Sequence, residues 1–185
     1  MAAINGEGEK GKEAIAAAVI DLFRNIDKRQ PAQPQLTDPQ IHFIANLAEF
    51  CVRARTHVPR NGSNKEIVCM PEPEASPRLG QQFAQLTRGS ALLDGRISVN
   101  STDLALVKRV AFDSVRKDRR DILEALWRGH KAVSGSDLAR ITRLPQSTVS
   151  RRLEELRGME LVDVIEDDGV VGGLAKLSDL ALSFL

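Results

Sequence analysis

The sequence predicts a mainly α-helical chain in two parts. A helical bundle occupies residues 1–118, and three short helices closed by a small β-hairpin occupy residues 119–185. Three observations predict this. Apolar residues recur at helical spacing over most of the 185 positions. A run of mixed charge, Arg116 to Asp121, separates the two parts without a flexible linker. Near the end, Asp168-Gly169 stands between two β-branched runs, the signature of a hairpin turn.

The first periodic segment runs from Lys12 to Asn25, where Ile15, Val19, Leu22, Phe23 and Ile26 form one apolar stripe. Pro31 and Pro34 interrupt the chain after it. Thr37, Pro39 and Gln40 then read as a capping box that opens a helix from Pro39 to Thr56. Ile44, Leu47, Ala48, Cys51 and Arg55 share its inner face, which makes Cys51 a small buried residue. The irregular stretch that follows holds one short extended piece, Glu66 to Met70. Ser76 and Pro77 open a helix with Leu79, Phe83, Leu86, Ser90 and Leu93 on one side, stopped by Gly95. A cap at Ser101 begins the next, which turns Leu104, Val107, Val110, Ala111 and Val115 inward.

In the last third, Ile122, Leu123, Leu126 and Trp127 form a short amphipathic helix ending at Gly129. Ser136 caps "SDLARIT", and "RLP" connects it to "QSTVSRRLEELRG", in which Val149, Leu153 and Leu156 face the core and Gly158 marks the end. This is the layout of a winged helix-turn-helix, which sets its second helix against a DNA major groove. Gln146, Ser147, Thr148 and Ser150 are short hydrogen-bonding residues at the groove-facing turn, and Arg151 and Arg152 suit phosphate or guanine. Glu166, Asp167 and Asp168 at the wing tip oppose DNA, as do Glu154 and Glu155 along the helix; Arg140, Arg143 and Arg157 favour it.

Composition limits the function classes. The formal charge is +1, from 26 Lys and Arg against 25 Asp and Glu, so the whole chain is no polycation. Two cysteines, Cys51 and Cys69, and three histidines lack zinc-ligand spacing. No apolar stretch is long enough for a membrane span, and a cytoplasmic setting is expected. Gly6, Gly11 and Lys12 fit G-x-x-x-x-G-K, the outline of a phosphate-binding loop. However, Glu13 stands where a metal-holding hydroxyl is needed, and no strand precedes the motif. The stretch "NGEGEKGKEA" is therefore expected to be a polar lead-in to the first helix.

Two resemblances add to these readings. "SDLARITRLPQSTVSRRLEEL" resembles the winged-helix domains of MarR- and ArsR-type transcription regulators. "PEPEASPRLGQQFAQLTRGSALLDGRISVNSTDLALVKRVAFDSV" resembles the helical lid of an AAA+ ATPase and is similar to the lids of minichromosome-maintenance helicases. The second resemblance extends over about residues 10–185, since some AAA-family ATPases carry a winged helix after the lid. It implies a nucleotide-sensing Arg78, whose guanidinium could grip phosphate oxygens. It also implies an ATPase base domain as partner, in cis or in trans, and either a fragment of a longer protein or a free-standing descendant. No base domain is legible here, so no enzyme activity, catalytic residue or metal site is expected. ATP and Mg²⁺ would enter only with a base domain. The alternatives are a stand-alone winged-helix transcriptional regulator with a helical dimerisation domain and a protein-binding adaptor. Double-stranded DNA is the expected ligand of the winged helix, and a homo-oligomer is possible.

Overall fold

The computed structural model describes residues 3–29, 33–129, 131–166 and 172–184, with side chains of the first helix described from 11 to 25. Among them are eight helices and three strands. The helices are α1 (Ala3–Arg29), α2 (Asp38–Arg55), α3 (Pro77–Leu93), α4 (Ser101–Asp113), α5 (Lys117–Gly129), α6 (Gly135–Thr142), α7 (Gln146–Gly158) and α8 (Asp179–Ser183). The strands are β1 (Val133–Ser134), β2 (Val162–Ile165) and β3 (Leu174–Leu177).

Helix α1 begins well before the periodic stripe and takes in Asn5 to Ala14. Its glycines therefore sit on a helical backbone, and neither a phosphate-cradling loop nor an irregular lead-in forms there. Every described side chain from Gly11 to Asn25 is exposed.

Helices α2, α3 and α4 pack together. The capping box opens α2 as expected, with the Thr37 backbone N–H donating to Gln40 Oε1 at 2.9 Å. Gln40 also donates to the Val99 carbonyl, which ties this helix start to the lead-in of α4. Glu66 to Met70 forms no strand; the region holds a single antiparallel bridge, Arg60 with Ile67. The α4 cap lies one residue before the expected Ser101. Asn100 accepts from the N–H groups of Thr102 and Asp103, and buried Asp103 is gripped by two nitrogens of Arg96 at 2.7 and 2.8 Å. Those hydrogen bonds hold the Asp103 carboxyl well below the ordinary carboxylate range.

Helices α5, α6 and α7 with the three-stranded sheet make a winged helix-turn-helix. The strand order is β1-β3-β2, all antiparallel, with Val162 opposite Leu177 and Ile165 opposite Leu174. Sequence periodicity missed β1 because two residues carry no alternation. The cap of α6 is Ser134, at the end of that strand, in place of Ser136. Residues 167–171, which hold the expected Asp168-Gly169 turn and most of the acidic wing tip, lie outside the described residues.

The two parts share one continuous apolar core, from Ile44, Leu47 and Phe50 through Val107, Phe112 and Ile122 to Leu156 and Leu177. Phe50, Phe112 and Trp127 stack in series, with ring centres 5.5 and 5.9 Å apart. The sequence division at 118/119 falls inside the first turn of α5.

Candidate nucleic-acid interface

Helix α7 carries the candidate site. Its sequence limits, Gln146 to Gly158, are those expected. Val149 and Leu156 are buried and Leu153 half-buried, so the aliphatic side seals the core. The turn before it is tight because Arg143 adopts a left-handed backbone, φ 58°. Pro145 begins α7 without a side-chain cap, and no acidic residue stands in the first turn. The first amide groups of the helix and its positive dipole end are therefore free of competing carboxylates.

Gln146, Ser147 and Ser150 are exposed together at this end, and Thr148 is half-buried beside them. Arg151 lies back along the helix, donating from Nε to the Ser147 carbonyl at 3.0 Å. Arg143 is exposed just before this turn, and Arg157 is exposed at the opposite end of the helix. Arg152 does not join this surface. It points inward, with Nε on Asp118 at 2.7 Å and Nη1 on Glu155 at 2.6 Å.

Glu155 is the centre of an ion cluster that sequence reasoning missed. The residue is 1% exposed. Its Oε1 accepts from Arg60 and Arg152, and its Oε2 accepts twice from Arg119, at 3.1 and 2.8 Å. Burial pushes the Glu155 carboxyl up, but hydrogen bonds from Arg60, Arg119 and Arg152 outweigh it and hold the group at about 2. Glu155 thus presents no free negative charge to a ligand. Glu154 is likewise paired, to Arg60 at 2.8 Å. Arg119, itself buried, also donates to the carbonyls of Ala54 and Thr56 at the end of α2. Arg60 donates to the Arg151 carbonyl on α7 at 2.8 Å. The cluster thereby fastens α7 to the preceding bundle from its inner side and leaves the outer N-terminal turn open. Two signals lay in the sequence, but the run "RKDRRD" reads there as a division between the two parts and Glu154-Glu155 as charge opposed to DNA.

Arg78 is exposed and makes no contact with Glu155 or its guanidinium partners among the described residues. Nη2 contacts both carboxylate oxygens of Glu74, at 3.1 and 3.2 Å. Glu74 also pairs with Arg55 at 3.3 Å. Among the described residues, no group of three or more His, Cys, Asp or Glu is placed to hold a metal ion. None of their helices is long and apolar enough to cross a membrane.

Residues 116–164 match the family model described as bacterial regulatory protein, arsR family. The match runs from just before α5 into β2 and therefore includes the whole helix-turn-helix. No curated protein and no solved structure matches the chain. The match supports the winged-helix part of the sequence reading, and no comparison points to an ATPase lid.

Proposed function

We propose that the chain is a DNA-binding transcriptional regulator without enzymatic activity, working in the cytoplasm. The first helices serve it as an oligomerisation or effector domain. The observation that carries this is the open N-terminal turn of α7, where Gln146, Ser147 and Ser150 stand exposed on a winged-helix scaffold with no capping carboxylate. Such a turn enters a major groove, its short polar side chains reach base edges, and its free amides face a phosphate. Thr148 stands at the edge of this contact. Arg151, released from Ser147, extends to the backbone or to a guanine. Arg152 is left out of the contact set because Asp118 and Glu155 hold it.

An ATPase-lid role for the bundle, with Arg78 sensing nucleotide, has no observation in its favour. Arg78 is occupied by Glu74, and a lid would require a base domain as partner.

The test is selection from a random duplex library, followed by fluorescence anisotropy at two salt concentrations. Specific binding that weakens with salt is expected, since phosphate contacts release counterions. Arg151→Ala should weaken it by about 5- to 150-fold, the range of a lost 1–3 kcal/mol contact. A chain that enriches no duplex at low salt is not a DNA-binding protein, and the adaptor reading replaces this one.

A further inference from the structure

Two apolar surfaces of the chain stand open. The first is the stripe on α1, where Ile15 is 67% exposed, Val19 45%, Leu22 42% and Phe23 57%. The second is a groove of about 420 Å³ between α2 and α3. Its walls include Leu36, Ile41, Ala45, Pro77 and Ala84. Small residues keep its floor low: Gly80 faces Ala48, so the two helices approach closely there. Contiguous exposed apolar surface of this kind marks an interaction site in a soluble protein.

We propose that the groove between α2 and α3 is filled by α1 of a second copy of the chain, and reciprocally, so that two copies form a two-fold dimer by exchange of their first helices. The spacing of the stripe supports it. Residues 15, 19, 22 and 23 are the i, i+4, i+7 and i+8 anchors by which an amphipathic helix seats in an apolar groove. The groove wall has an unmet polar need as well. Arg88 lines the groove, and its Nε is buried without a hydrogen-bond partner among the described residues. In the chain itself, all described α1 side chains from Gly11 to Asn25 are exposed, so its own groove is not served by its own helix. The size also suits a dimer. The exposed parts of the four anchors amount to roughly 400 Å² per copy, and two reciprocal contacts with their groove walls bury roughly 1,000 Å², the lower bound of a specific interface. A two-fold axis makes both contacts identical and closes the assembly at two copies.

The experiment measures the mass of the full chain in solution by light scattering and sedimentation, with no DNA present, so its failure leaves the DNA-binding proposal standing. The wild-type chain is expected to be a dimer. Leu22→Asp, on the stripe, and Ala45→Glu, exposed in the groove, are each expected to give a folded monomer with a cooperative thermal transition that no longer depends on protein concentration. An equal mixture of the two is expected to return a weaker dimer, because the intact helix of one still fits the intact groove of the other. Should Ala45→Glu fail to fold, Ile41→Lys on the exposed rim takes its place. A monomeric wild-type chain overturns the proposal. So does a dimer indifferent to the groove substitution, which would pair α1 with its own copy, and so does a mixture that stays monomeric.

Discussion

Replacing Glu155 by Gln isolates the ion cluster that holds α7. The substitution keeps the shape of the side chain and removes its charge. Arg119, Arg60 and Arg152 then lose their shared counter-ion, and their side chains are only 5%, 13% and 14% exposed. Removing one partner of a buried ion pair costs about 3–5 kcal/mol, because the remaining charge is left uncompensated. The depressed pKa of Glu155 expresses the same contacts as a proton-linked free energy. A carboxyl held at about 2 against an ordinary 4.5 contributes about 3 kcal/mol at neutral pH, at 1.36 kcal/mol per unit. The sign follows from the depressed value. The contribution is complete above about pH 4.5 and fades as pH falls from there through about 2. Urea unfolding of wild type and Glu155→Gln from neutral pH into that window measures both effects. The variant should be less stable by about 3–5 kcal/mol at pH 7 and melt roughly 6–20 °C lower, with the gap closing in acid. Arg140→Gln, which breaks an exposed pair with Asp137, should change stability by less than about 1 kcal/mol. If Glu155→Gln at pH 7 lies within about 0.5 kcal/mol of wild type, the cluster is not a structural pin and the reasoning fails.

Gly173→Ala should destabilise the wing by about 1–3 kcal/mol in urea titration, since Gly173 has φ +73° and a Cβ would lie 2.6 Å from the Ile165 carbonyl oxygen; an unchanged midpoint would contradict that geometry. Asn100→Ala removes the acceptor for two amides at the start of α4 and should cost about 1 kcal/mol by the same assay, while Asn100→Ser should restore most of it. Burial pushes the Cys51 thiol up to about 12, against the opposing influence of Arg55 and Ser114, so a thiol reagent at pH 8 should modify only exposed Cys69 in the native protein and both cysteines in denaturant. Rapid labelling of both in the native state would show that Cys51 is accessible.

The helices of the bundle were legible because their apolar residues repeat at helical spacing and their starts carry side-chain signals. Thr37 with Gln40 placed the beginning of α2 within one residue. Caps were less secure where two candidates stood close together: Asn100 and Ser134 serve in place of Ser101 and Ser136 because their backbones are extended and their side chains reach the first amides. The polar turn of α7 was legible because its aliphatic positions fixed the other face. The role of Arg152 was not, since its partners Asp118 and Glu155 converge only through the packing of α5 on α7. Arg60 lies 95 residues from Glu155, beyond the reach of any local pattern. Charge in a sequence is read by default as solvated. Here a tertiary arrangement collects three guanidiniums around one carboxylate, and the same letters describe a buried joint.

That joint has a practical consequence for anyone dissecting the protein. Excising the winged-helix module at the boundary its sequence suggests would sever Arg60 and the Ala54 and Thr56 carbonyls from a carboxylate and a guanidinium that stay with the module. It would also strip Phe50 and Phe112 from Trp127, against which they stack in series. The liberated piece would inherit half of a salt cluster and an open seam, and its weakness would reflect the cut rather than any intrinsic frailty of the winged helix.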